Sequence, residues 1–80
     1  MTEEAIDLII EILGLHRVEE SLMCLSFEAA RDDCDPIRRI AHSFIEEELQ
    51  NDPECDMILA ARRVVLNRLK ELKDRKGTSE

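Results

Sequence analysis

The sequence predicts an all-α fold: a small four-helix bundle or paired helical hairpins with a long C-terminal helix. Three observations carry this. The 80 residues hold only two glycines and two prolines, too few chain breakers for a sheet of short strands. Asp-Pro occurs twice, at Asp35-Pro36 and Asp52-Pro53, and each reads as an N-cap followed by proline at the first helical position. Four stretches carry apolar residues at helical spacing.

Helix one is expected from Thr2 to Leu13. Thr2 caps it, and Glu3, Glu4 and Asp7 sit where the helix dipole favours negative charge. Ile6, Ile9, Ile10 and Leu13 form the stripe, Leu8 and Ile12 widen it, and Gly14 is a C′ stop. Helix two is expected from about Arg17 to Arg31, with Val18, Leu22, Leu25 and Ala29 inward and Met23, Phe27 and Ala30 to the sides. The Asp32-Asp33-Cys34-Asp35 segment reads as a turn. Helix three follows from Pro36 to Gln50 with Ile37, Ile40, Ala41, Phe44, Ile45 and Leu49 as an amphipathic stripe. Helix four is expected from Pro53 to about Lys73, capped by Asp52. Its stripe is Ile58, Ala61, Val65, Leu69 and Leu72, with Leu59 and Leu66 broadening it. Residues 1–74 then form one domain and 75–80 a frayed tail.

Charge divides the chain. Residues 1–54 hold 15 Asp+Glu against 4 Lys+Arg (net −11), and residues 55–80 hold 4 against 7 (net +3). An acidic body repels phosphate, so nucleic acid is a poor partner, and a basic protein surface is a good one. The basic residues late in helix four have no aromatic neighbours for base stacking. With no run of ~20 apolar residues there is no membrane span, and the acidic N-terminus lacks the basic region of a signal peptide. Three cysteines, an odd number, suit a reducing cytoplasm.

Signatures of chemistry are missing. Cys24, Cys34, Cys55, His16 and His42 show none of the CxxC, HxxxH or HExxH spacings of a metal site. Cys34 precedes a helix start, yet the surrounding aspartates oppose a thiolate. The Asp32, Asp33, Asp35 cluster lacks the central glycine and terminal glutamate of an EF-hand loop. No glycine-rich phosphate loop occurs. The reading is therefore no catalytic residue, no metal and no cofactor.

What remains is binding. Glu46, Glu47 and Glu48 occupy the last turn of helix three against the dipole preference, and with Asp32, Asp33 and Asp35 they make a candidate acidic surface. Arg62, Leu66, Leu69 and Leu72 make a second. At 1.5 Å per residue helix four spans roughly 31 Å against about 22 Å for helix three, which would leave late leucines for another chain to cover. The leading expectation is a small acidic, non-enzymatic protein-binding module, such as an inhibitor, an antitoxin-like neutraliser, an anti-defence factor or a small chaperone. The alternatives are a structural subunit dimerising through helix four, and an acidic mimic that blocks a nucleic-acid-binding protein.

Overall fold

A computed structural model of the chain describes residues 2–78, with side chains for residues 2–71. Among the described residues there are four helices and no strand: α1 (Thr2–Leu13), α2 (Val18–Ala29), α3 (Pro36–Asn51) and α4 (Met57–Thr78). No described helix is long and apolar enough to cross a membrane.

α1 buries Ala5, Ile6, Ile9 and Ile12. The expected stripe is corrected in one respect: Ile10 is 47% exposed, and Ile12 takes the inward place. Ala5, Ile9 and Ile12 repeat at i, i+4 and i+7, and a reading weighted by isoleucine overlooks the alanine. The helix ends at Gly14, whose amide donates to both the Ile10 and Glu11 carbonyls at 3.2 Å. Gly14 does not take the left-handed conformation of a C′ cap, since no described glycine has positive φ. The Leu15 amide instead closes a tighter turn on Ile12 O at 3.1 Å.

α2 turns Leu22 and Leu25 into the core. No side chain caps its start. Arg17 pairs instead with Glu20 at 3.3 Å. Arg38 of α3 pairs with Glu28, and Arg39 Nη2 donates to the Arg31 carbonyl at 2.8 Å, so the α2–α3 connection is tied from α3. Asp35 caps α3 as expected: its carboxylate accepts the Ile37 amide at 3.0 Å with Pro36 beginning the helix. Asp35 lies in extended backbone (φ −58°, ψ 130°), as the following proline ring requires.

The second Asp-Pro behaves differently. Asp52 ends α3 rather than opening α4, its amide donating to Glu48 O at 3.0 Å. Its Oδ1 accepts the Glu54 amide at 3.2 Å and its carbonyl accepts the Cys55 amide at 3.1 Å. That is a turn with Asp first and Pro53 second, the positions both residues favour. α4 starts four residues later than expected. Asp56 performs the capping, with Oδ1 accepting the Leu59 amide at 2.8 Å. The physical reason is chain reversal: α3 runs to Asn51, and a helix opening at Pro53 would leave no loop in which to turn back.

All six helix pairs touch, with the α1–α3 and α3–α4 contacts the most extensive. One core joins them. Ala5, Ile9, Leu22, Ala41, Ile45, Ala60 and Ala61 are fully buried, and no described buried residue is polar or charged. Ala5, Ala41, Ala60 and Ala61 carry little volume, so the helices approach closely where they meet. On α4 the inward face is Ala60, Ala61 and Val64, turned by most of one residue's ~100° rotation from the expected stripe. Arg68 accompanies the turn. Its side chain is only 18% exposed, lies toward α1, and reaches Glu3 at 3.1 Å and Glu71 at 3.4 Å. The long aliphatic stem covers core while the guanidinium stays at the rim, and Leu69 stands outward.

Candidate functional site

Asp32, Asp33 and Asp35 are exposed around the α2–α3 turn. Two of them already hold local partners: Asp33 pairs with Arg31 at 3.2 Å, and Asp35 caps α3. At the other end of α3, Glu46 lies 3.6 Å from His42, Glu47 is exposed, and Glu48 accepts from Asn67 Nδ2 of α4 at 2.8 Å. Asp35 and Glu47 are twelve residues apart on one helix, about 18 Å by its rise. The two acidic clusters are therefore at opposite ends of α3 and form no single patch.

The helix-four residues do come together. Leu66 and Leu69 are 62% and 55% exposed. Arg62 is exposed one turn before Leu66, and Leu59 continues the same outward side. Leu72 has its side chain outside the described residues; of the tail expected at 75–80, residues 75–78 continue α4 and residues 79–80 lie outside the described residues. Leu69 and Val65 share an open groove of about 210 Å³ with Ile6, Asp7 and Ile10 of α1.

Two further features escape sequence reasoning. On α2, Met23 and Phe27 are 47% and 70% exposed at i, i+4 spacing, and Glu19 and Glu20 precede them by a turn. Glu19 and Met23 also border a groove of about 460 Å³ with Leu49, Met57 and Ile58. Phe27 lies two residues from the buried Leu25, about 200° around the helix. That displacement was readable once Leu22 and Leu25 were taken as the inward pair. On α1, Glu4, Asp7 and Glu11 are exposed at i, i+3, i+7 and none makes an ion pair among the described residues. Like charges so spaced repel. The dipole argument accounts for the first two and leaves Glu11 unexplained.

Among the described residues no three His, Cys, Asp or Glu side chains gather as a metal ion would require. The three thiols form no disulfide: Cys24 is exposed, Cys34 half-buried and Cys55 buried. Among the described residues the ion pair with shifted partners is Asp52 with Arg63. The Arg63 guanidinium, and after it the Glu54 amide, hold the Asp52 carboxyl below its usual range, and Asp52 raises Arg63 in return. This pair closes the α3–α4 corner. The arrangement as a whole offers open grooves and outward apolar side chains.

Comparison with known protein families, with curated proteins and with solved structures finds no match to the chain.

Proposed function

We propose that this chain is a small non-enzymatic protein-binding module, acting in a reducing cytoplasm on a partner that presents a basic surface. The observation that carries the reading is the outer face of α2. Phe27 is one of only two aromatic residues in the chain, yet it is 70% exposed beside Met23, with Glu19 and Glu20 one turn away. Aromatic and methionine side chains are the usual anchors at the centre of an interface, and flanking charge selects the partner and speeds its approach. A core this thin would gain from burying Phe27, so leaving it in water is a cost that recognition explains. Inhibition or neutralisation of the partner are the roles that such an outward anchor beside an open groove suits.

The acidic-mimic reading draws less support. A mimic needs acids spread along a track as phosphates are, whereas Asp35 and Glu48 are engaged within the fold and the two clusters lie at opposite helix ends. The test is quantitative affinity capture from native cell extract, with wild type, Phe27→Ser, Glu19→Lys/Glu20→Lys and a Gln50→Ala control as baits. A protein captured by wild type and the control and lost with both α2 variants supports the module. If every captured protein is indifferent to both α2 variants, the α2 face is not the binding surface.

A further inference from the structure

We propose that a second copy of this chain covers the α1–α4 seam, about a two-fold axis running along the seam, so that α1 of one protomer lies over α4 of its partner. The face differs from the α2 surface assigned to another protein. Its centre is apolar and open to water: Ile10 on α1, Leu66 and Leu69 on α4. Its two flanks carry opposite charge. The α1 flank is the acidic row Glu4, Asp7 and Glu11, which makes no ion pair among the described residues; the α4 flank carries Arg62 and Lys70, both exposed.

The symmetry follows from that charge division. α1 and α4 run past each other in opposite directions, because Thr2 shares a groove with Glu71, Glu3 reaches Arg68, and Ile10 lies with Val65. At matching heights Glu11 stands level with Arg62, Asp7 with Leu66, and Glu4 with Lys70. A two-fold axis along the seam exchanges the flanks and keeps the heights. It sets Glu11 against the partner's Arg62 and Glu4 against the partner's Lys70, with Asp7 at the height of the partner's Leu66 and one turn from both of those cations, while Ile10 and Leu69 close over the apolar centre. A two-fold axis across the seam would set α4 on α4, with Arg62 and Lys70 facing the same residues of the partner. That disposition gathers like charges and is rejected. The isologous interface is closed and self-limiting. It also gives the α1 acids cations of a kind that they lack among the described residues of their own chain.

The experiment is sedimentation equilibrium on the full chain, at low and high salt, with circular dichroism to confirm helicity of each variant. Wild type is expected to dimerise reversibly and less tightly at high salt, because the flanks are screened. Arg62→Glu and Glu11→Arg, both at exposed positions, are each expected to weaken the dimer about tenfold or more, and the double variant E11R/R62E to restore it. Phe27→Ser is expected to leave it unchanged, which separates this proposal from the α2 reading. A chain monomeric up to about 1 mM overturns the proposal, and so does a dimer that both single reversals leave intact.

Discussion

Arg63 on α4 donates through Nη1 to Oδ2 of Asp52 at 2.8 Å, across the corner where α3 ends. The same carboxylate holds the Glu54 amide through its other oxygen. Both bonds favour the charged form, so the carboxyl titrates below its ordinary 3.8. A depressed carboxyl contributes stability that is complete above its unfolded pKa and is lost as pH falls through the folded one. Asp52→Asn is therefore expected to be less stable than wild type at neutral pH, and the gap is expected to shrink as pH drops below 3.8. Urea unfolding of both proteins across that range checks it, and a gap that stays constant with pH contradicts it.

Among the described residues Asp35 and Asp56 cap helix starts with their carboxylates, and they are separable from Asp52. Asp35→Ala and Asp56→Ala are each expected to cost about 1 kcal/mol. In Asp56→Ala, hydrogen exchange of the Leu59 amide should quicken most, since its acceptor is the Asp56 carboxylate, whereas the Ala60 amide keeps the backbone carbonyl of residue 56 and quickens only by fraying. In Asp52→Ala those two amides should keep their protection.

Gly14 has no need to be glycine. Its φ is not positive, and an added Cβ would meet only the Glu11 carbonyl at 3.5 Å and the Ile10 carbonyl at 3.8 Å, ordinary contacts. Gly14→Ala is expected to stabilise the fold by about 0.4–1 kcal/mol, chiefly by restricting the unfolded chain. A shifted urea midpoint at unchanged slope would be the signature.

Leu22 and Phe27 sit on one helix and should respond oppositely to truncation. Leu22 is fully buried, so Leu22→Ala is expected to cost about 2–5 kcal/mol. A domain of this size has about 4–12 kcal/mol in total, and the variant should be partly unfolded on warming. Phe27→Ala should change stability by about 0.5 kcal/mol or less, because most of its ring already meets water. Thermal unfolding followed at 222 nm (the helical band) distinguishes the two.

Much of the fold was legible because helical periodicity and caps are local signals. Thr2–Leu13 matches the expected first helix at both ends, and Asp35-Pro36 opens α3 where its chemistry says it should. Asp52-Pro53 misled because the same dipeptide serves a turn as well as a cap, and the choice depends on how much chain α3 needs to reverse. The face of α4 was misread because sequence hydrophobicity counts Leu69 as core and Arg68 as surface. The close packing of Ala60, Ala61 and Val64 inverts them, with Arg68 reaching Glu3 of α1 at the rim. Of the candidate surfaces, Leu66 and Leu69 do stand outward, though by the rotation of α4 alongside α1 and not by overhanging the bundle, whereas the acids flanking α3 are divided by the helix itself. Phe27 was placed beside the inward stripe of α2 but its exposure, like the lack of partners for the α1 acids among the described residues, depends on how the other helices pack around it.

The three thiols lie at three depths, and this makes the molecule its own clock. Cys24 is open to a thiol reagent, and Cys34 is half-covered. Cys55 is 8% exposed, with its Sγ 3.9 Å from the Glu48 carbonyl beneath the Asp52 turn. Cys24 therefore labels at the rate of the reagent, whereas Cys55 labels only in the fraction of time that the α3–α4 corner stands open. The ratio of the two rates reads out the breathing of that corner in the untouched protein, without denaturant or an added probe.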